Sequence, residues 1–103
     1  MTLQQLKYAV VTAEKGTVSE AAASLYIAQP SLTKALKELE KEMGISIFNR
    51  TNKGVFVSKE GEVFLGYARQ VLEQAALITE KYTHQSGGKQ EFLRFEHSII
   101  PLR

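Results

Sequence analysis

The sequence contains no cysteine, and this absence excludes a disulfide framework, a cysteine-ligated zinc site and a thiol nucleophile. It agrees with a reducing compartment, and we expect the protein in the cytoplasm. No apolar stretch approaches the roughly 20 residues that span a bilayer, and no basic region followed by an apolar run begins the chain. We therefore expect no membrane segment and no signal peptide.

Side chains suited to enzymatic chemistry are also scarce. The two histidines, His84 and His97, are isolated from each other and from other metal-binding residues, and we interpret both as surface residues. Glu38 and Glu42 lie four residues apart, but Lys34 is among the neighbouring lysines that can pair with them across a helix face. No glycine-rich phosphate loop follows a strand. The sequence thus predicts no enzyme, no metal and no cofactor.

Positive charge is sparse overall but concentrated in one segment. The net charge of the 103-residue chain is only +2. Residues 28–59 hold six basic and three acidic side chains, a local charge of +3, whereas residues 60–103 hold five and six, a local charge of −1. Such clustering is typical of a surface that binds phosphate groups. The length suits one small domain.

Two short helices joined by a tight turn are predicted in the first half of the chain. The second of them spans about residues 29–43. Its Leu32, Leu36 and Leu39 recur at helical spacing and form an apolar stripe. Pro30 fits its first turn, where a missing amide hydrogen costs nothing. A helix-turn-helix presents the start of its second helix to the major groove of DNA.

Another helix precedes this pair, at about residues 2–15. The first helix of the pair is predicted over about residues 18–25, and Thr17 and Glu20 have the spacing of a capping box at its start.

A two-stranded hairpin is predicted after the helix-turn-helix, with strands at about residues 47–50 and 55–57. A hairpin in this position is a wing. Its Phe48 and Phe56, and Phe64 beyond it, are assigned to the core.

A long helix is predicted from Ser58, its N-cap, to about Tyr82. Its length of roughly 37 Å is large for so small a domain. A heptad-like seam runs along it, and we propose this seam for dimerisation: Phe64, Ala68, Val71, Ala75, Ile78 and Tyr82. An offset second stripe can pack on the chain's own core: Leu65, Leu72 and Ala76. Close approach of another helix would explain Gly66, which costs about 1 kcal/mol relative to alanine.

Motifs spread over about residues 2–89 together resemble the N-terminal DNA-binding domain of the LysR-type transcriptional regulators. The most specific of them are Ala13-Glu14-Lys15-Gly16-Thr17, Ala21-Ala22, Gln29-Pro30-Ser31-Leu32-Thr33-Lys34, Leu39-Glu40, Phe48-Asn49-Arg50 and Gly61-Glu62. The resemblance implies a mainly α fold. Residues 1–57 would form a winged helix-turn-helix of three helices and a two-strand wing, and residues 58–83 a linker helix that forms the homodimer.

Members of this family also carry an effector-binding domain of two α/β lobes, which this sequence does not include. Residues 84–103 are accordingly predicted to be a hinge and a truncated or unnatural tail. A small-molecule effector is expected only for the missing domain, and a tetramer only for the full-length protein. Ala28 and Lys34 depart from the serine and arginine that are frequent in the family, so we expect a weaker helix start and looser base reading.

Eight residues are selected for contact with double-stranded DNA: Gln29, Pro30, Ser31, Thr33, Lys34, Lys37, Arg50 and Lys53. Gln29 suits adenine, whereas Lys34 suits guanine or a phosphate. The two hydroxyl side chains suit base edges or phosphates, and Pro30 either touches a thymine methyl group or only starts the helix. The remaining three suit phosphates or the minor groove. The alternative function is a winged-helix module that binds proteins and not DNA, which the low net charge favours.

Overall fold

The computed structural model describes residues 1–83, in which four helices surround a small core and a hairpin lies at its edge. The elements are α1 (Leu3–Lys15), α2 (Val18–Leu25), α3 (Gln29–Met43), β1 (Phe48–Thr51), β2 (Gly54–Val57) and α4 (Lys59–Thr83). The predicted fold, a winged helix-turn-helix followed by a long helix, is confirmed. The predicted hinge and tail, and both histidines, lie outside the described residues.

The helix starts follow from local capping. Thr2 and Gln5 form a complete capping box before α1, with two reciprocal hydrogen bonds of 3.0 Å. At α2, the Glu20 amide donates to the Thr17 hydroxyl at 3.1 Å, but the reciprocal bond of the predicted box is not formed. Ala28 supplies no side-chain cap to α3, as its identity predicts. The start of α3 therefore depends on its backbone and on tertiary packing.

The core lies where α1 packs against the other three helices. Side chains of every helix enter it, and Ile47, just before β1, is fully buried as well. The predicted stripe of α3 is confirmed, because Leu32, Leu36 and Leu39 are each at most 1% exposed. Because this stripe faces the core, the opposite face of α3 is left for solvent or a partner.

Lys7 of α1 is also buried, and desolvation lowers the pKa of its amine below the usual 10.5.

One aromatic residue of the hairpin, Phe56, was wrongly assigned to the core. Phe48 is buried and Phe64 packs against the core, but Phe56 is 55% exposed. The register pairs Phe48 with Val57 and therefore Phe56 with Asn49. Because side chains alternate between the two faces of a strand, Phe56 points away from the core.

The long helix α4 buries the predicted second stripe, Leu65, Leu72 and Ala76. Ala68 from the predicted seam is buried beside this stripe, at 2% exposure, and so packs within its own chain. Phe64 is half-buried against the same core. The remaining apolar side chains of the seam stay largely at the surface, and Val71, Ile78 and Tyr82 are 41, 62 and 56% exposed.

The two glycines of α4 have opposite surroundings. Gly61 is buried, and a Cβ atom there would overlap the carbonyl oxygen of Ile47. Ser58 strengthens this contact, since its amide donates to the same carbonyl at 2.9 Å and its hydroxyl accepts from the Gly61 amide at 2.9 Å. Gly66 has no neighbouring atom within 4 Å of its ideal Cβ position. Only the first glycine is thus required by the fold of one chain.

Alanine substitutions at these two positions should have opposite effects. Gly61→Ala is expected to lower the free energy of unfolding by about 1–3 kcal/mol, because the backbone must shift to admit the methyl group. Gly66→Ala is expected to raise it by about 1 kcal/mol through helix propensity. Urea unfolding of both variants measures the difference. A destabilising Gly66→Ala would contradict the open surroundings and favour a second helix packed there.

Candidate nucleic-acid interface

The face of α3 opposite the core is polar and exposed. Gln29, Pro30, Ser31, Lys34 and Lys37 are all exposed, and Thr33 is half-buried. They are held outward because the leucine stripe fixes the rotation of the helix. The amino end of a helix carries the positive end of its dipole, which favours an approaching phosphate.

Five of the eight predicted DNA contacts line one shallow, open concavity along this face. They are Gln29, Pro30, Thr33, Lys34 and Lys37. Glu38 and Lys41 complete the lining. Three lysines and one glutamate give this surface, which we call the α3 concavity, a net positive charge. Ser31, Arg50 and Lys53 do not belong to it.

Two acidic residues of α3 do not form the ion pairs that were predicted for them. Neither Glu38 nor Glu42 forms an ion pair with Lys34 or Lys41 within the described residues. Both oxygens of Glu42 instead accept from the terminal ammonium of Met1, at 2.6 and 2.8 Å. The prediction of a salt-bridged face was wrong: the terminal ammonium pairs with Glu42, and Glu38 has no ion pair among the described residues. Glu38 remains an exposed carboxylate among lysines.

The turn before α3 contains a residue that sequence reasoning did not single out. Tyr26 has φ 59° and ψ 40°, in the left-handed region that tyrosine rarely adopts. Its side chain is 95% exposed. The backbone amide of Tyr26 closes α2 by donating to the carbonyl of Ala23 at 3.2 Å. This conformation directs the chain into α3.

The wing presents Arg50 and Lys53 to solvent. Lys53 belongs to the two-residue connection between Thr51 and Gly54, which are cross-strand partners. The Thr51 hydroxyl accepts from the Lys53 amide at 3.1 Å and donates to the Gly54 carbonyl at 3.2 Å. These bonds fix the turn and place the lysine at the tip of the hairpin.

The hairpin is also fixed to the helix-turn-helix. The Val55 amide donates to the Gly16 carbonyl at 2.9 Å, which ties β2 to the turn between α1 and α2. Gly54, at φ 134°, allows this approach, since a Cβ atom there would lie 2.5 Å from the Gly16 oxygen. A side chain at this position would therefore push the hairpin away from the helices.

Glu40 joins α3 to the start of β1. One carboxylate oxygen accepts from the amides of Ile47 and Phe48, at 2.7 and 3.1 Å. The carboxylate thus satisfies two backbone donors where the chain leaves α3, which is a structural role and not acid–base chemistry. It holds the α3 concavity and the wing in one arrangement.

A second shallow concavity lies on α4 and includes Val71, Ala75 and Ile78 from the predicted seam. Its other lining residues are Tyr67, Gln70 and Gln74. Tyr67 is 67% exposed and was not predicted as part of the seam. We call these six residues the α4 surface. The seam and the α4 surface differ because Ala68 turns toward the core and Tyr67 turns outward.

None of the helices within residues 1–83 has the length and apolar character to cross a membrane. Among these residues, no group of three or more acidic or histidine side chains is arranged to hold a metal ion.

Known proteins resemble this chain in both sequence and structure. The HTH-type transcriptional regulator TfdT of Cupriavidus pinatubonensis is 44% identical over 72 residues, 70% of this chain and 32% of that protein. A crystal structure of the CbnR DNA-binding domain in complex with DNA is 33% identical, with a TM-score of 0.76, over 79% of this chain and 93% of that one. The BenM DNA-binding domain with benA site 1 DNA is 31% identical, with a TM-score of 0.78, over 84% of this chain and 100% of that one.

The chain matches about a third or less of the length of such curated relatives, for example 32 and 24%. Residues 3–62 match the model of the bacterial regulatory helix-turn-helix proteins of the lysR family. This match covers more than half of the chain and contains the whole winged helix-turn-helix. The chain therefore belongs to the LysR family of helix-turn-helix DNA-binding regulators.

Proposed function

We propose that this chain is the sequence-specific DNA-binding module of a transcription regulator and acts as a homodimer. The observation that carries the proposal is the α3 concavity, a positively charged, outward-facing surface held rigidly beside a basic wing. It lies along one face of α3, and an α-helix fits the major groove of DNA. Solved relatives with this fold are bound to DNA.

The first turns of α3 would read bases. Gln29 presents an amide that can bond to N6 and N7 of adenine, and Lys34 an ammonium suited to O6 and N7 of guanine. Thr33 lies between them on the same surface and offers a hydroxyl and a methyl group. Pro30 adds apolar surface beside them, and exposed Ser31 would lie next to the groove wall.

Three basic residues would hold the phosphate backbone. Lys37 lies farther along the α3 concavity, and Arg50 and Lys53 lie on the wing. Contacts to phosphate orient a protein on DNA but carry no sequence information. Because each one releases counterions, affinity should fall steeply as salt is raised.

The homodimer would form through the α4 surface. Tyr67, Val71 and Ile78 expose apolar area along one side of a helix that otherwise packs on its own core. Ala75 also belongs to the α4 surface, and Phe64 and Tyr82 adjoin it, whereas Ala68 is buried within its own chain. Exposed apolar stripes of this kind mark protein interfaces. Effector binding and a tetramer are proposed only for a longer protein that contains an effector domain.

The proposal is tested by selecting bound genomic fragments and measuring their binding by fluorescence anisotropy over a range of salt concentrations. Lys53→Ala should weaken binding to all sequences alike and reduce the slope of log K against log salt by about 0.9. Thr33→Ala should instead relax discrimination by about 1–3 kcal/mol at particular base pairs.

Arg69→Ala provides the matched control, because it removes one exposed positive charge from α4, outside both surfaces. It should change neither the slope nor the base preferences. Wild-type protein without salt-sensitive DNA binding would refute the proposal and favour the protein-binding module. Thr33→Ala with unchanged affinity for every single-base operator variant would refute the reading role of α3.

A further inference from the structure

The α3 concavity contains one acidic side chain that its phosphate-binding role does not explain. Glu38 is exposed and lines the concavity together with Lys34, Lys37 and Lys41. It forms no ion pair within the described residues, whereas Glu42, one turn later, is bound to the Met1 ammonium. Its carboxylate is therefore available to whatever occupies the concavity.

This negative charge opposes general attraction to DNA. A carboxylate beside the phosphate backbone is repelled by it, so Glu38 lowers affinity for every sequence unless a favourable contact compensates. The side chain also contributes no packing that would explain its presence, since it lies at the surface. A specific hydrogen bond to a base is the contact that can compensate.

The donors in the major groove that suit a carboxylate are the N4 amino group of cytosine and the N6 amino group of adenine. Lys34, one helical turn earlier, suits the opposite set, the acceptors of guanine and thymine. The two side chains are separated by roughly 6 Å along the helix, close to the rise of two base pairs. One helix face can thus test neighbouring positions for opposite chemistry.

We propose that Glu38 is a specificity-determining residue. Its carboxylate accepts a hydrogen bond from an amino group of cytosine or adenine in the major groove and disfavours sites where an acceptor or a phosphate lies there instead. This inference rests on the proposed DNA-binding function and adds a discriminating contact to it. Specificity in such a surface comes from repulsion of wrong sites as well as attraction to the right one.

The test uses the whole chain, a randomised double-stranded DNA library and anisotropy with the selected sequence and an unrelated one. Glu38→Gln should bind unrelated DNA about 3–10-fold more tightly at low salt. Its ratio of specific to unrelated affinity should fall about 10-fold, within the range for one lost base contact. Selected sequences should lose a preference for cytosine at one position; where the preferred base is adenine, the glutamine amide replaces the bond and only Glu38→Ala loses the preference.

Two further variants separate this effect from a change of overall charge. Glu38→Ala should lose the same preference, since alanine cannot form a replacement bond to a base. Glu73→Gln, an exposed glutamate on α4, removes the same charge elsewhere and should leave the affinity ratio and the base preferences unchanged. Circular dichroism would verify that all three variants are folded, as expected for exposed positions.

The outcomes distinguish the inference from the function beneath it. If wild-type protein binds a specific sequence and Glu38→Ala keeps the same ratio and preferences, the inference is overturned and the proposed function stands. If Glu38→Ala raises both affinities equally, as a general charge effect would, the inference is likewise overturned. If wild-type protein shows no salt-sensitive binding to DNA, both are overturned.

Discussion

Ile78→Glu is expected to convert the proposed homodimer into monomers and to weaken binding to an operator with two half-sites by about 100-fold or more. Ile78 is 62% exposed and lies on the α4 surface with Tyr67 and Val71. A glutamate there would have to lose its hydration when two copies pack together, with no partner cation in the surface. A monomer binds each half-site separately. It therefore loses the avidity of two linked modules, which exceeds either single affinity by about 10²–10⁴-fold.

Analytical ultracentrifugation gives the oligomeric state, and anisotropy with one-half-site and two-half-site DNA separates lost avidity from lost contact. Leu77→Glu is the matched control: Leu77 is 44% exposed and adjacent in sequence, but lies about 100° around the helix and outside the α4 surface. It should remain dimeric. A dimeric Ile78→Glu protein would show that the interface is on another face.

Glu40→Ala should lower the free energy of unfolding by about 3 kcal/mol, the largest effect on stability expected from a partly exposed residue. The substitution leaves two backbone amides without their acceptor, and each unsatisfied donor costs about 1–3 kcal/mol. Those donors belong to Ile47 and Phe48, which are 0 and 5% exposed, so water cannot readily replace the carboxylate.

Urea unfolding of Glu40→Ala, Glu40→Gln and Glu42→Ala provides the measurement. Glu40→Gln should be intermediate, because its amide oxygen still accepts but carries no charge. Glu42 is paired with the Met1 ammonium at the surface, and its removal should cost less than about 1 kcal/mol. Equal losses for Glu40→Ala and Glu42→Ala would contradict the role assigned to the Glu40 carboxylate.

Most of the fold could be predicted because its signals are local. The bounds of α3 follow from Pro30 at its start and Gly44 after its end, and those of α2 from the Thr17 cap. The predicted strands stop one residue short of the turn on both sides. In the structure β1 extends to Thr51 and β2 begins at Gly54, and these two residues pair across a two-residue turn. The outward direction of Phe56 follows from that register, which composition does not reveal.

The faces of α4 were harder to assign. Two apolar stripes run along this helix, and a periodic pattern does not state which one meets the core. The answer depends on α1, which packs against α4 and buries Leu65, Ala68 and Leu72 together. Tyr67 escaped prediction because an isolated aromatic residue between two stripes carries no distinctive signal.

In the candidate site too, only the features that depend on neighbouring residues in the sequence could be predicted. The polar face of α3 could be predicted because the leucine stripe fixes the opposite face. The role of Glu38 could not, because a lysine four residues away suggests a salt bridge and sequence spacing cannot exclude it. That Glu42 instead meets the Met1 ammonium depends on the fold, which brings together two residues 41 positions apart in the sequence.

Hydrogen bonds with Gly16, Glu40 and Ser58 hold the hairpin in place, and this bears on how DNA would have to bend to reach both the hairpin and α3. These hydrogen bonds join the base of the hairpin to the turn after α1, to α3 and to the start of α4. We expect DNA, more than the protein, to change shape when α3 and the hairpin contact it together. Sequences that deform easily should be favoured even at base pairs that no side chain touches.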